Sequence, residues 1–145
     1  MFTTTMACAI VVTLSLGASP CETKLADEQV KEQLNLHPVE EQIIQFTNAE
    51  RVRYGLPEFA IDDGLMETAR KHATWMTANR SLTHTQLPVA ENIAMGQPSA
   101  QEALNSWMRS SGHRANILNS GNRRLGVAAY QTNDGTIYWC QQFTR

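Results

Sequence analysis

The hydrophobic pattern of the chain changes its period after residues 119–122, a cluster of asparagine, serine and glycine typical of a turn. Upstream of this cluster, apolar residues recur every three or four positions, as they do on one face of an α-helix. Downstream, the segments LGVAAY and TIYWCQQF flank Asp134-Gly135, a dipeptide that predicts a β-hairpin. The chain is therefore predicted to be α+β, with helices followed by paired strands.

The second strand of this hairpin is expected to be covered on both sides. Successive side chains of a strand point to opposite faces of a sheet. Bulky residues occupy both faces here, with Ile137, Trp139, Gln141 and Phe143 on one and Tyr138, Cys140 and Gln142 on the other. The segment ENIAM at 91–95 is predicted to add a strand beside the hairpin.

Two long helices are predicted in the first half of the chain. The first begins at Val39 and ends at Gly55, a residue that commonly terminates helices. The second lies within 60–82, and Asp62 or Asp63 is expected to cap its N terminus. The buried stripe of this second helix is predicted to consist of Leu65, Ala69, Ala73 and Met76.

A third helix is predicted to begin after Ser99, an N-capping residue, and to be broken by Gly112. The segment HRANIL then adds one short helical turn. A chain of 145 residues has room for one domain with a real core. The predicted domain has three to four helices around a small antiparallel sheet.

The N terminus has the pattern of a secretory signal. Residues 1–21 contain no charged side chain, and 7–18 form a twelve-residue apolar run. That run is shorter than the roughly 20 residues of a membrane-spanning helix. We therefore predict a signal peptide at 1–21, a linker at 22–38 and the folded domain at 39–145. Lipidation of Cys21 and an uncleaved anchor are the alternatives for this segment.

Charge and cysteine content exclude some classes of protein. The net charge is -2, so no broad basic surface predicts binding to nucleic acid. The three cysteines are Cys8, Cys21 and Cys140, and removal of a signal peptide would leave at most one disulfide, between Cys21 and Cys140. The alternative is a buried, unpaired Cys140 that packs as a small apolar residue.

Two histidines and a glutamate stand out in the middle of the chain. His84 and Glu91 are seven residues apart and His113 lies twenty-two further on, so no helical spacing places them on one face. Only tertiary folding can bring these three side chains to one cleft. His72 has no acidic or cysteine partner at helical spacing, and we interpret it as a hydrogen-bonded core or boundary residue, with a ligand role as the alternative.

Several segments together resemble one known family. They are, in order, QFTNAERVRYGLPEFAIDDGLMETARKHATWM, SLTHT, AENIA, WMRSSGHRANILN, LGVAAY and YWCQQF. The chain resembles a bacterial member of the CAP superfamily, which comprises cysteine-rich secretory proteins, antigen 5 and plant pathogenesis-related proteins and is also called the SCP domain. The resemblance covers about residues 39–145. It implies an α-β-α sandwich, an extracellular location and a cleft lined by histidine and glutamate.

The resemblance also assigns residues to that cleft. Eukaryotic members carry two histidines and two glutamates there, and His84, Glu91 and His113 match three of the four. Ser110 stands where the remaining glutamate would be, a departure that puts an activity based on the full set in doubt. Ala90 replaces the glycine that usually precedes the first glutamate.

The chemistry of the cleft leaves three alternatives open. His84 and His113 suit Zn²⁺, with Glu91 either a third ligand or the base that activates a bound water. A site with only two protein ligands would bind metal weakly. Alternatively, the three side chains form a buried hydrogen-bond network with a purely structural role. Asn92 and Asn116 are expected to brace the backbone around the cleft.

A nucleophilic enzyme is less well supported. The chain has no G-x-S-x-G motif, and a serine before a helix break, such as Ser110, is more often a cap. The apolar neighbours of Cys140 would raise the pKa of its thiol. We therefore predict a secreted or envelope-attached, monomeric, non-enzymatic module that binds a lipid, a sterol-like molecule, a glycan or a protein. A metal-assisted hydrolase, of the protease type and using His84, His113 and Glu91, is the alternative.

Overall fold

The fold comes from a computed structural model of the chain, which describes residues 36–145. The signal peptide predicted at 1–21 and residues 22–35 of the linker predicted at 22–38 lie outside this range. The elements in chain order are α1 (Pro38–Arg53), β1 (Ala60–Ile61), α2 (Asp63–Asn79), β2 (Ala90–Met95), α3 (Ala100–Arg109), α4 (Ser111–Ile117), β3 (Arg124–Gln131) and β4 (Ile137–Thr144). Among the described residues, none of the helices is long and apolar enough to cross a membrane.

The four strands form one mixed sheet in the order β1-β3-β4-β2. Strands β3 and β4 are the antiparallel hairpin predicted around Asp134-Gly135, and β2, the segment ENIAM preceded by Ala90, pairs antiparallel with β4. Gly135 has the positive φ of 89° that this tight turn requires. Strand β2 therefore lies at one end of the described sheet, with a free edge.

Strand β1 was not predicted, and it occupies the start of the segment 60–82, within which the second helix was predicted. Ala60 and Ile61 pair in parallel with Arg124 and Leu125 of β3. The helix starts only after Asp62, whose side chain accepts a hydrogen bond from the backbone N–H of Leu65 at 2.9 Å. Because this cap closes the helix at Asp62, the preceding residues are free to extend along the sheet.

Helices cover both faces of the sheet, which confirms the predicted α-β-α sandwich. Helix α2 packs on β3 and β4 from one side, whereas α1, α3 and α4 lie on the other. The core on the α2 side consists of Ala69, Ala73, Met76, Ile93, Ala128, Tyr138 and Cys140. The larger core on the opposite side includes Ile43, Leu104, Trp107, Ile117, Val127, Trp139 and Phe143. The two faces predicted for the last strand are both buried.

The break between α3 and α4 lies at Ser110 and not at the predicted Gly112. Ser110 has an extended backbone, with φ of -91° and ψ of 123°, whereas Gly112 lies inside α4. The capping role predicted for Ser99 is confirmed, since its hydroxyl accepts from the N–H of Glu102 at 3.3 Å. Helix α4 thus starts in a new direction, which turns it toward the free edge of β2.

Helix α2 approaches the sheet at a glycine. A β-carbon on Gly126 of β3 would lie 2.1 Å from the carbonyl carbon of Leu65, which is far inside van der Waals contact. The first turn of α2 therefore rests directly on the backbone of β3. This close approach sets the distance between α2 and β3.

A buried arginine anchors the other helical layer. Arg51 in the last turn of α1 is fully buried and stacks on the ring of Phe59 at 3.8 Å. Its guanidinium donates to the carbonyls of Pro57 at 2.8 Å, Ile117 at 2.7 Å and Asn119 at 3.1 Å. The bond to Ile117 lies in the last turn of α4, where a cation also offsets the partial charge of the free carbonyls. Arg51 therefore fixes the end of the helix that carries His113.

Candidate functional site

Glu91 is the centre of the site. It projects from β2 toward α2, and only 7% of the residue is exposed. Oε2 accepts from Nδ1 of His84 at 2.8 Å and from the N–H of Thr85 at 3.0 Å. Oε1 accepts from Nε2 of Gln142 at 3.0 Å and from the Cys140 thiol at 3.7 Å. These four contacts use the hydrogen-bonding capacity of both carboxylate oxygens.

The hydrogen bond with Glu91 determines which nitrogen of the His84 ring carries the proton. Because a carboxylate only accepts, Nδ1 of His84 carries the proton and donates it. In the neutral form of the ring, Nε2 has a free lone pair, on a side chain that is 60% exposed. His84 therefore has one imidazole nitrogen that no other described residue uses.

His72 lies beside the same carboxylate and has a structural role. Its Nε2 is 2.8 Å from the carbonyl of Thr83 and 3.7 Å from Oε1 of Glu91. The ring stacks on Trp75 with 6.0 Å between centroids. The interpretation of His72 as a hydrogen-bonded residue is confirmed, and its bond to Thr83 holds the loop that positions His84.

Helix α4 brings the second histidine to the free edge of β2. Asn116 donates to the backbone carbonyl of Glu91 at 3.2 Å and to the side-chain oxygen of Asn92 at 2.9 Å. Asn92 in turn donates to the carbonyl of His113 at 3.1 Å. Burial lowers the pKa of His113, and the nearby charge of His84 lowers it further. The two asparagines thus brace the backbone and tie α4 to β2, the strand that carries Glu91.

Two glutamines of β4 belong to the network and were missed as site residues. In the sheet Glu91 lies opposite Gln142, and Asn92 lies opposite Gln141. The sequence did contain an indication of these site residues. Two successive glutamines occur in a strand that is predicted to be covered on both faces, so both amide side chains would be buried. Buried amide groups need hydrogen-bond partners, so such residues point to a polar network.

Those partners come from the helices on either side of the sheet. Thr68 of α2 donates to Oε1 of Gln142 at 2.7 Å. On the opposite face, Gln141 donates to the hydroxyl of Thr47 in α1 at 2.7 Å. The polar network therefore reaches from one helical layer through the sheet to the other.

Neither nucleophile considered from the sequence is activated. The side chain of Ser110 makes no hydrogen bond to any described residue, and Ser111 is the exposed first residue of α4. Cys140 is buried and, within residues 36–145, unpaired. Its burial raises the pKa of the thiol, and the adjacent Glu91 carboxylate raises it further. The thiolate that a nucleophile requires is therefore strongly disfavoured.

The sequence of residues 44–143 matches the family model described as the cysteine-rich secretory protein family, CAP. The chain belongs to the CAP family. This CAP domain is 34% identical to the uncharacterized protein YkwD of Bacillus subtilis over 122 residues, which are 72% of the chain and 46% of YkwD. It is 26% identical to pathogenesis-related protein 1 of Arabidopsis thaliana over 148 residues, covering 90% of the chain and 85% of that protein.

The fold agrees with solved structures of the family. An extracellular protein of Bacillus anthracis that contains an SCP domain superposes with a TM-score of 0.63 and 28% identity. The match covers 90% of this chain and 45% of that one. This CAP domain also spans less than half of the length of YkwD. The relatives therefore contain further sequence beyond the region that they share with it.

The donor set of this CAP domain fits a divalent metal only weakly. His84 offers Nε2, and the lowered pKa of His113 favours its neutral, ligating form. Glu91 is engaged by four other groups, and residues 36–145 contain no cluster of three His, Cys, Asp or Glu side chains placed to hold an ion. The two imidazoles would be the protein ligands. Glu91 would orient one of them, as carboxylates behind ligating histidines commonly do.

Proposed function

We propose that this CAP domain is an extracellular binding module whose His–Glu network shapes a ligand cleft and catalyses no reaction. The observation that carries this proposal is the complete hydrogen bonding of Glu91, the residue that would be the base of a hydrolase. A general base needs a free lone pair within reach of the water or substrate that it deprotonates. Glu91 instead holds the loop of His84 against β2.

The extracellular location is supported by two independent observations. The sequence begins with an uncharged segment whose twelve-residue apolar run is typical of a secretory signal. The Bacillus anthracis protein that shares the fold is described as extracellular. The ligand classes that we propose are a lipid, a sterol-like molecule, a glycan or another protein.

The same geometry supports weak metal binding in the cleft. Nε2 of His84 and the imidazole of His113 would be the ligands of a divalent ion such as Zn²⁺, while Glu91 fixes the His84 ring from behind. Zinc sites that hold their metal durably have three or four protein ligands. A pair of imidazoles would therefore bind zinc in rapid exchange with solvent.

Calorimetric zinc titration of the purified chain tests the metal proposal. We expect saturable binding near one equivalent that is lost in His84→Ala/His113→Ala. The matched control is His37→Asn, which removes another of the four histidines and places a good N-capping residue before α1. Zinc binding that persists in the double variant, or no binding by the unmodified chain, would contradict the proposal.

The binding role is tested against the hydrolase with and without zinc. Fluorescent casein and a p-nitrophenyl ester serve as substrates, and we expect no rate above buffer for the chain or for His113→Ala. Phosphatidylcholine vesicles with and without cholesterol, and a panel of soluble glycans, serve as binding probes. Saturable binding of one probe, weakened by His84→Trp at the cleft, would support the module. A zinc-dependent rate that disappears in His113→Ala would instead establish the hydrolase.

A further inference from the structure

A second depression lies away from the Glu91 network, where α1 and α3 end and α4 begins. It is a cavity of about 490 Å³ that opens to solvent, and we call it the arginine groove. Its wall contains Arg53 and Tyr54 from the end of α1, Met108 and Arg109 from α3, and Arg114 from α4. Small-molecule sites commonly have volumes of about 300–1,000 Å³. The groove is therefore large enough for a small organic ligand.

The charge of the groove is not compensated within residues 36–145. Arg53 pairs with Glu50, the one acidic residue among the described lining residues, at 3.2 Å. The side chains of Arg109 and Arg114 make no hydrogen bond or ion pair with any other described residue. Two guanidinium groups thus have no partner in the described part of a chain whose overall net charge is -2. This is a local positive site and not part of a generally basic surface.

Tyr54 holds part of this charge in place. The guanidinium carbon of Arg114 lies 5.1 Å from the centroid of the Tyr54 ring, and that of Arg53 lies 5.6 Å from it. Such cation–π contacts order arginine side chains without using their N–H donors. The five donors of Arg114 therefore stay available in the groove, on a side chain that has already lost some of its freedom.

Helix ends account for only part of this arrangement. Arg53, Arg109 and Arg114 each lie in the last turn of their helix, where a cation offsets the partial negative charge of the free carbonyls. That effect acts at each helix separately. It does not explain why the arginines of three helices line one cavity whose described lining includes only one acidic residue, Glu50.

We propose that the arginine groove binds a small organic anion through a phosphate or carboxylate group held by Arg109 and Arg114. The planar guanidinium donates two parallel N–H bonds to either of these oxyanions. Met108 and Tyr54 supply apolar and aromatic surface for the rest of the ligand. The proposal is independent of the function proposed for the His–Glu cleft, although α4 contributes His113 and Asn116 to one site and Arg114 to the other.

Calorimetry with pyrophosphate and with citrate, at fixed ionic strength, tests the groove. The two probes separate phosphate from carboxylate recognition, and saturable binding of either one supports the proposal. Arg109→Gln/Arg114→Gln is expected to weaken binding at least about tenfold, since hydrogen bonds to charged groups are lost. Lys71→Gln/Arg145→Gln is the matched control, because it removes the same charge from exposed positions outside the groove.

Asn105→Glu is a second variant, which we expect to preserve the fold. It adds a negative charge to the groove lining and lies four residues before Arg109 on α3, a spacing that stabilises helices. We expect it to abolish anion binding without lowering the melting temperature. The proposal is overturned if neither probe binds saturably, or if the control double variant weakens binding as much as the groove double variant does.

Discussion

Nδ1 of His84 lies 2.8 Å from Oε2 of Glu91, and this hydrogen bond leaves Nε2 as the imidazole nitrogen without a partner among the described residues. The sequence alone points to both residues and leaves Glu91 as a ligand, a base or a member of a structural hydrogen-bond network. In the structure the carboxylate accepts a hydrogen bond from the histidine. Its second oxygen is held by Gln142 at 3.0 Å, so Glu91 links the His84 loop to the centre of the sheet.

Glu91→Gln should destabilise the domain by about 1–3 kcal/mol. A glutamine side chain presents an NH₂ group in place of one acceptor oxygen, so a donor would face either His84 or Gln142. Urea denaturation measures the loss. Glu67→Gln is the control, because Glu67 is exposed and paired only with Lys71, and it should change stability little. Equal stability of the two variants would show that the Glu91 network contributes nothing to the fold.

The stability of the domain should fall on acidification in a way that depends on His113. Burial lowers the pKa of this imidazole in the folded state, whereas the unfolded chain takes up the proton near pH 6.5. The unfolded state therefore binds more protons below that pH, and stability decreases as the pH falls from about 6.5 toward the folded-state pKa.

The direction of this pH dependence can be checked by measuring the melting temperatures of His113→Asn and of the unmodified chain between about pH 7.5 and pH 5. This range brackets the pKa of free histidine, about 6.5. The variant should lose part of the acid-side decrease. His37→Asn should keep the full decrease, because it leaves His113 in place. Parallel curves for His113→Asn and the unmodified chain would exclude the proposed linkage.

Gly126→Ala should lower the free energy of unfolding by about 1–3 kcal/mol or more, the usual cost of overpacking. Its β-carbon would meet the backbone of Leu65, which cannot move without shifting the start of α2. Gly112→Ala is the matched substitution, since it lies inside α4 and nothing is within 4 Å of the position that its β-carbon would take. That variant should be neutral or more stable by about 0.4–1 kcal/mol. Chemical denaturation of both variants distinguishes close packing from a general effect of alanine.

Arg51→Lys should destabilise the domain by at least about 2 kcal/mol, because one ammonium group cannot reach the carbonyls that the guanidinium satisfies. The variant should also loosen the end of α4, seen as faster amide hydrogen exchange around Ile117. Arg53→Lys, two residues away with a side chain that is 70% exposed, should behave like the unmodified chain. Unchanged exchange at α4 in Arg51→Lys would mean that the helix is held by its other contacts.

The features of the fold that depend on local sequence were predictable. Asp134-Gly135 specified the hairpin, and Asp62 and Ser99 marked helix starts through bonds to nearby N–H groups. Strand β1 could not be found in this way, because two residues carry no periodicity. It exists only through pairing with Arg124 and Leu125, more than sixty residues further along the chain.

The sequence predicted which residues belong to the candidate site, but it did not predict the role of each residue. Residue type and the family resemblance single out His84, Glu91 and His113. The function of Glu91 within this set depends on Gln142, fifty-one residues away, which no local pattern connects to it. Ser110 belongs to the predicted set only through its position in the motif, and the structure gives its side chain no partner among the described residues.

The pairing of Glu91 with Gln142 and of Asn92 with Gln141 also bears on how accurately the chain folds. A shift of β2 by one residue would turn every side chain to the opposite face of the sheet. Glu91 would then lose its partners and bring a charged group among Asn92, Asn116 and Gln141, whose hydrogen bonds are already made, at a large cost in free energy. Misaligned forms of this edge strand are therefore penalised before the cleft is complete, so the polar network selects a single strand alignment.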